Sequence, residues 1–327
     1  MDVAGTAAEA PLRDGLVMDG PSTRGGVVGV VEVVDVIGII GIGAMGLPMA
    51  MNLQRRGHAV RVRDVSAAAV AAATAQGLVA CGSAAELAEH CDLIAIVVVD
   101  AAQIDDVLFG PGGVVHATRR IGAAPLTVML CSTIAAQDTE RIHARLGAHG
   151  IGLIDAPISG GPVRAASGTM SMMLAGSAAL IALFEPVLRD MAATRFDMGA
   201  KVGDAARTKL VNNLLAGINL VAGAEALALG AKLGLSKRAL FDVITASSGA
   251  SWITSDRMAR ALDGDYAPRA RTVILTKDLG LAVQMADAAG IDTPLGDAAL
   301  RLFEAAVAAG FGELDDAAVI KAICPDF

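Results

Sequence analysis

From residue 36 onward the chain alternates short apolar runs with Ala-rich segments of helical period. Residues 36–41, 59–63, 93–99, 126–131 and 151–154 read as strands, and residues 46–56, 66–76, 84–89, 101–109 and 136–149 as helices. Strands that are apolar almost throughout are covered on both faces, and their alternation with helices predicts βαβ units in a parallel, doubly wound sheet. After about Gly199 the pattern changes. From Asp204 to Leu233 one helical run carries Leu210, Val211, Leu214, Leu215, Ile218, Leu220, Val221 and Leu227, with Gly only at 217, 223 and 230. A helix apolar on most sides is expected to lie among other helices. Further helices follow at 236–247, 251–263, 272–289, 294–309 and 316–323.

The fold class so predicted is α/β: an N-terminal Rossmann-type doubly wound sheet and an all-helical C-terminal domain, linked by a long interdomain helix. The domains expected are a disordered or extended tail over 1–34, a nucleotide-binding domain over 35–199 and a helical domain over 200–327. A length of 327 residues accommodates two domains. Apolar residues make up 54% and aromatics 3%, which suits packed helices and buried strands better than a β-sandwich.

Charge and cysteine usage narrow the partners. A net charge of −8 with no Lys/Arg cluster argues against nucleic acid or an anionic membrane as partner. The longest apolar run, 27–42, contains Glu32 and Asp35 and falls short of the ~20 residues that a membrane span needs. Residues 1–25 have no basic segment leading into an apolar core, so no secretory signal is read there. Cys81, Cys91, Cys131 and Cys324 lack metal-ligand or C-x-x-C spacing and read as reduced core residues of a cytoplasmic protein. No metal site is expected.

Gly41-Ile42-Gly43-Ala44-Met45-Gly46 fits G-x-G-x-x-G directly after a strand and before a helix. In that context Gly41 makes the tight turn, Gly43 admits a pyrophosphate, and Gly46 lets helix pack on strand. Asp64 ends the next strand, where a carboxylate accepts from the ribose hydroxyls and repels a 2′-phosphate; the cofactor expected is NAD rather than NADP. Arg61 or Arg63 could instead clamp a 2′-phosphate, but strand alternation turns both away from Asp64. Thr133, at the end of another strand, faces the ligand edge of the sheet or caps the next helix.

Three further features carry chemistry. In Asp155-Ala156-Pro157-Ile158-Ser159-Gly160-Gly161-Pro162 a hydroxyl stands beside backbone N–H groups, as a small carboxylate would require, though an ordinary tight turn gives the same pattern. Lys209 lies in the apolar helix with Asn213 four residues on, on the same face. Burial lowers a lysine pKa toward the range useful for proton transfer; the competing reading is a snorkelling lysine. Lys277-Asp278 is a second candidate, or an ion pair at a helix start.

In order along the chain, Gly41-Ile42-Gly43-Ala44-Met45-Gly46-Leu47-Pro48-Met49-Ala50 with Asn52-Leu53, Asp155–Gly161, Lys209-x-x-x-Asn213 and Lys277-Asp278-Leu279-Gly280 make four motifs. Together they cover about residues 35–324, and the chain resembles the β-hydroxyacid dehydrogenase family, which includes 3-hydroxyisobutyrate dehydrogenase, 2-hydroxy-3-oxopropionate reductase and L-threonate dehydrogenase. The resemblance implies a reversible hydride transfer between NAD and a small hydroxy acid, with Lys209 as acid/base and Asn213 holding the substrate. It places Ser159, Gly160 and Gly161 on the substrate carboxylate, Lys277 between cofactor and substrate, and Val98, Val99, Gln103 and Thr133 on the nicotinamide-ribose side. Trp252 joins the substrate residues, and a homodimer or homotetramer formed through the helical domain is implied.

One departure is Ala205, where the family often has a second Gly ahead of the lysine. Ser159–Ala166, Asp263–Pro268 and Asp315–Lys321 resemble threonate-type sequences, whereas Asn212-Asn213, Ser247–Gly249 and Trp252 resemble 3-hydroxyisobutyrate dehydrogenases. The substrate reading is therefore divided, with 2-hydroxy-3-oxopropionate reductase as the alternative. A non-catalytic dinucleotide-binding scaffold is the rival from another class, and retention of Lys209 and Asn213 argues against it.

Overall fold

A computed structural model describes residues 36–119 and 125–327; the tail expected over 1–34 lies outside them. The first part of the described chain builds a sheet from β1 (Val36–Ile40), β2 (Ala59–Arg63), β3 (Val79–Ala80), β4 (Leu93–Ile96), β5 (Thr127–Leu130), β6 (Gly152–Asp155), β7 (Ile158–Ser159), β8 (Ser171–Gly176) and β9 (Thr194–Asp197). Its helices are α1 (Gly46–Arg55), α2 (Ala67–Ala75), α3 (Ala84–His90), α4 (Ala101–Phe109), α5 (Ala136–Gly147), α6 (Gly161–Ser167), α7 (Ala178–Leu183) and α8 (Glu185–Met191). Strand order is β3-β2-β1-β4-β5-β6-β8-β7, with β9 beside β8. The first six are parallel, whereas β8 runs antiparallel to β6 and β7.

β4 and β5 are buried at every residue, as strands sandwiched between two helical layers must be. Alternation then sends Ile37 and Ile39 into one core and Ile40 into the other. Because β1 has β2 on one side and β4 on the other, the chain leaves their carboxyl ends in opposite directions and opens a crevice there.

The second part is helical: α9 (Asp204–Lys232), α10 (Lys237–Thr245), α11 (Trp252–Leu262), α12 (Thr272–Ala288), α13 (Pro294–Ala306) and α14 (Val319–Ile323). α9 is the central shaft. Its glycines sit where neighbours cross: a Cβ on Gly217 would lie 2.7 Å from Leu279 of α12, on Gly223 2.4 Å from Thr254 of α11, and on Gly230 2.0 Å from Leu240 of α10. Length and composition alone would let α9 cross a membrane, but Leu220, Leu227, Phe303 and Leu279 join it to a common helical core.

The structure also departs from the sequence reading. The strand expected over 93–99 stops at Ile96: Val97 N still donates to the Ile40 carbonyl at 2.8 Å, but Val98 N turns to Ser132 Oγ at 3.0 Å and Val99 N to Gln103 Oε1 at 2.9 Å. Residues 294–309 are not one helix; a wide turn over Val307–Phe311 follows α13, with Gly310 at φ +89°. α9 is not buried all round, since Val211, Leu215 and Leu229 are more than half exposed. The short β7, β8 and β9 were not anticipated.

Candidate active site

Each glycine of the first motif has a separate steric cause. Gly41 turns at φ +90°, and a Cβ there would lie 2.4 Å from the Val97 carbonyl. On Gly46 a Cβ would come within 1.9 Å of the Gly41 carbonyl, so only Gly lets α1 start this close to β1. Gly43 meets nothing within 4 Å, which leaves a space against the backbone of a size that suits a pyrophosphate.

That space opens into a cleft of about 720 Å³ between sheet and helices. Gly43, Ala44, Met45, Val98, Val99 and Thr133 line it from the sheet side. Ser159, Gly160 and Gly161 form its second wall; Lys209, Asn213, Trp252 and Lys277 face it from the helical side. Gly43 and Asp278, 235 positions apart in sequence, thus share one cavity.

Asp64 and Gln103 are placed differently. Asp64 Oδ2 accepts from Ile42 N and its Oδ1 from Ser66 N, both at 2.8 Å, so the carboxylate braces the Gly-rich turn from the end of β2. Each oxygen keeps a lone pair for a ribose hydroxyl. Gln103 does not line the cleft; its carbonyl oxygen is spent on Val99 N, in the capped turn where Asp100 Oδ1 accepts from Gln103 N at 2.8 Å. Thr133 does not cap α5 either, since Ala135 holds that position. Thr133 instead offers its backbone carbonyl to Lys277 Nζ at 2.6 Å.

Lys209 is 7% exposed and sits in the second turn of α9. Burial is the largest influence on it and lowers its pKa below the usual lysine value of 10.5; nearby Asp278 opposes that and Lys277 adds to it. Asn213 Nδ2 donates to Asp278 Oδ2 at 2.8 Å, and this carboxylate fixes which way the amide points. Lys277 Nζ stands 2.8 Å from Asp278 Oδ1 as an ion pair lacking hydrogen-bond geometry, so that oxygen keeps a free lone pair. Lys277 and Asp278 lie mid-helix in α12, not at a helix start. Asp278 is therefore the hub of Lys209, Asn213 and Lys277, a role the sequence pattern did not reveal.

Asp155 has a different task from the anion cradle it precedes. Its Oδ2 accepts from Gly203 N at 2.8 Å and Ala206 N at 3.2 Å, tying β6 to the first turn of α9. Gly203 takes φ +99° to reach it, and Ala205 is fully buried behind it without disturbing the turn. Burial raises the Asp155 carboxyl to about 6, with those amides pulling the other way. Between pH 3.8 and 6 the unfolded chain holds fewer protons at this group, so its contribution makes stability fall as pH rises. Asp155→Ala strands two buried N–H groups and is expected to cost about 2–4 kcal/mol in urea unfolding. Asp155→Asn, with one neutral acceptor, is expected to cost less and to flatten the slope between pH 4 and 6.

A second buried polar group reaches the cleft through Arg257 and Asp316. Arg257 Nε donates to Asp316 Oδ1 at 2.6 Å, and Arg260 Nη1 to Asp315 Oδ2 at 3.0 Å. Burial pushes Asp316 up to about 7 against the pull of Arg257. Among the described residues no group of His, Cys, Asp and Glu is arranged to hold a metal ion, and all four cysteines are free and buried.

A doubly wound sheet with a phosphate-accepting turn, joined by a cleft to a buried lysine, defines a nicotinamide dinucleotide-dependent oxidoreductase. Residues 36–200 match the NAD-binding domain of 6-phosphogluconate dehydrogenase, and residues 203–323 match the NAD-binding region of NADP-dependent 3-hydroxyisobutyrate dehydrogenase. An L-threonate dehydrogenase of Escherichia coli K12 is 40% identical over 85% of this chain and 91% of its own. The crystal structure of a 3-hydroxyisobutyrate dehydrogenase from Salmonella typhimurium superposes with a TM-score of 0.80 at 39% identity, covering 88% of this chain and 99% of that one. A Mycobacterium tuberculosis 3-hydroxyisobutyrate dehydrogenase with L-serine gives 0.78 at 32% identity, covering 89% and 100%. The chain belongs to the β-hydroxyacid dehydrogenase family, and is a dehydrogenase acting on CH–OH groups with a nicotinamide dinucleotide.

Proposed function

We propose that this enzyme oxidises a small hydroxy acid, L-threonate-like or 3-hydroxyisobutyrate-like, with NAD preferred, and that Lys209 carries the proton. One observation carries the reading: Lys209 is buried in the cleft with no hydrogen-bond or ion-pair partner at Nζ among the described residues. Its proton is thus free for a substrate hydroxyl.

Ser159 Oγ and the amides of Gly160 and Gly161 would hold the substrate carboxylate. Gly160, at φ +133°, and Gly161, at φ +72°, line the cleft in backbone conformations that other residues reach only at a cost. Asn213, oriented by Asp278, offers its remaining amide hydrogen or its oxygen to the reacting hydroxyl. Lys209 in its neutral form takes the hydroxyl proton, and the nearby Asp278 carboxylate stabilises the ammonium that results. The nicotinamide, when bound, supplies the hydride acceptor. Lys277, braced on the Thr133 carbonyl, ties α12 to the sheet edge and fixes the width of the cleft between the two reactants. The reverse direction uses the same groups, with Lys209 donating.

NAD preference rests on Asp64, whose carboxylate at the end of β2 repels a 2′-phosphate. Asp64→Ser is expected to lower kcat/KM for NAD about tenfold and to raise that for NADP; equal efficiency of the parent enzyme with both would contradict the preference. Four free thiols fit a cytoplasmic setting. The exposed Val211, Leu215 and Leu229 along α9 support a homodimer or homotetramer through the helical part, and light scattering at the monomer mass would refute it.

A further inference from the structure

We infer that Arg257 and Asp316 form a subsite that reads the hydroxyl groups on the tail of the substrate, so that the preferred acid is polyhydroxylated. This rests on the function proposed above and goes beyond it, since it names which class of hydroxy acid the cleft selects.

The subsite is built rigidly. Thr254 Oγ1 donates to the Asn219 carbonyl at 2.9 Å, and its methyl packs over Gly223, locking α11 across α9. Arg257 follows one turn later and is 9% exposed. From the other side, Asp315 and Asp316 stand at the start of the short turn Asp316–Ala318, which Thr272 Oγ1 secures by donating to the Asp315 carbonyl at 3.0 Å. Thr272 and Asp278 are six residues apart on α12, hence about 9 Å along its axis. Lys209, Asp278, Arg257 and Asp316 all line the one cleft.

The placement of donors and acceptors decides what this part of the cleft holds. Arg257 Nε donates to Asp316 Oδ1 at 2.6 Å, lies 3.7 Å from Asp315 Oδ1, and its Nη1 pairs with Asp256. Arg260 bonds Asp315 and Asp265, each at 3.0 Å. Of these six groups only Arg257 and Asp316 line the cleft, along with Arg269 and Arg271, so the subsite offers guanidinium donors next to a carboxylate. An alkyl tail would cover Arg257 and Asp316 where they face the cleft and leave the Arg257 Nη2 hydrogens without a partner. A hydroxyl does both jobs: it accepts from Arg257 Nη2, which has no protein partner among the described residues, and donates to Asp316. Ile253 and Ile274 line the same stretch and would pack against the carbon chain between hydroxyls.

The test compares kcat/KM for L-threonate with that for 3-hydroxyisobutyrate, whose tail is a methyl group, in the parent enzyme, in Arg257→Met and in Arg257→Met/Asp316→Leu. The parent is expected to favour L-threonate, and the ratio to fall about tenfold or more in Arg257→Met, which loses one hydrogen bond to a charged group, and about 100-fold or more in the double variant, which loses two. The double variant leaves no stranded Asp316 and carries the test where Arg257→Met fails to fold. A parent preference for 3-hydroxyisobutyrate, or a ratio unchanged in the folded variant, overturns the subsite and leaves the dehydrogenase reading standing. No oxidation of either acid, or of other hydroxy acids, with either dinucleotide overturns the function itself.

Discussion

Lys209→Met is expected to lower kcat for the hydroxy acid about 10³-fold while leaving NAD affinity within about threefold, the range general acid–base groups normally contribute. Methionine keeps the volume of the lysine stem in a site that is 7% exposed, so the fold has no cavity to absorb. The separation of effects follows from place: Lys209 belongs to α9, whereas the phosphates are expected at Gly43 and the ribose at Asp64. The pH profile of the parent adds a sign. Oxidation requires the neutral amine, so activity should rise with pH to a limb set by Lys209, below the ordinary lysine value because burial lowers it. Asp278 opposes that lowering; Asp278→Asn should therefore move the limb to still lower pH. A limb unmoved by Asp278→Asn, or normal turnover in Lys209→Met checked by stopped flow, contradicts the assignment.

The second large effect separates two glycines three residues apart. Gly46→Ala places a methyl 1.9 Å from the Gly41 carbonyl, and neither α1 nor β1 can retreat without opening the core around Ile39. A loss of about 3 kcal/mol or more is expected, read as a lower urea midpoint with an unchanged slope. Gly43→Ala meets no atom within 4 Å and should leave the unliganded protein as stable as before. Its methyl fills the space proposed for the pyrophosphate, so NAD affinity, followed by titration calorimetry, should fall at least about tenfold. Equal stability of the two variants, or full NAD affinity in Gly43→Ala, would count against this division of labour.

Most of the sheet was legible because its signal is local. β1, β4, β5 and β6 are largely apolar runs bounded by Gly or polar turns, β2 alternates Val with Arg, and their alternation with helices leaves one main topology. What escaped was set by partners distant in the chain. β7 and β9 are short strands whose existence depends on pairing with β8, a contact no local period announces. β4 ends early because Ser132 and Gln103 take the amides of Val98 and Val99. The exposed stripe on α9 was hidden by composition, since a uniformly apolar helix does not say which face its neighbours leave bare.

In the candidate site, residue type and order revealed the lysine, the glycines and the serine, because those chemistries tolerate few substitutes. Asp278 and Asp155 showed only half their roles. An acidic residue beside a lysine looks like an ordinary ion pair until α9 brings Asn213 within 2.8 Å of it. Asp155 opens the stretch that holds the anion cradle, and the fold makes it the anchor of α9. Arg257 and Asp316, 59 positions apart, could be joined only by the fold.

The central claim is that one cleft brings a nicotinamide dinucleotide and a small hydroxy acid to Lys209. It is tested most directly by following reduced-nicotinamide absorbance with 3-hydroxyisobutyrate, glycerate, L-threonate and D-threonate, each with NAD and with NADP. The account predicts turnover of at least one of these acids, faster with NAD, and its near-abolition in Lys209→Met at retained NAD binding. Absence of reduction with every acid and both dinucleotides, from a protein that binds NAD normally, would contradict it.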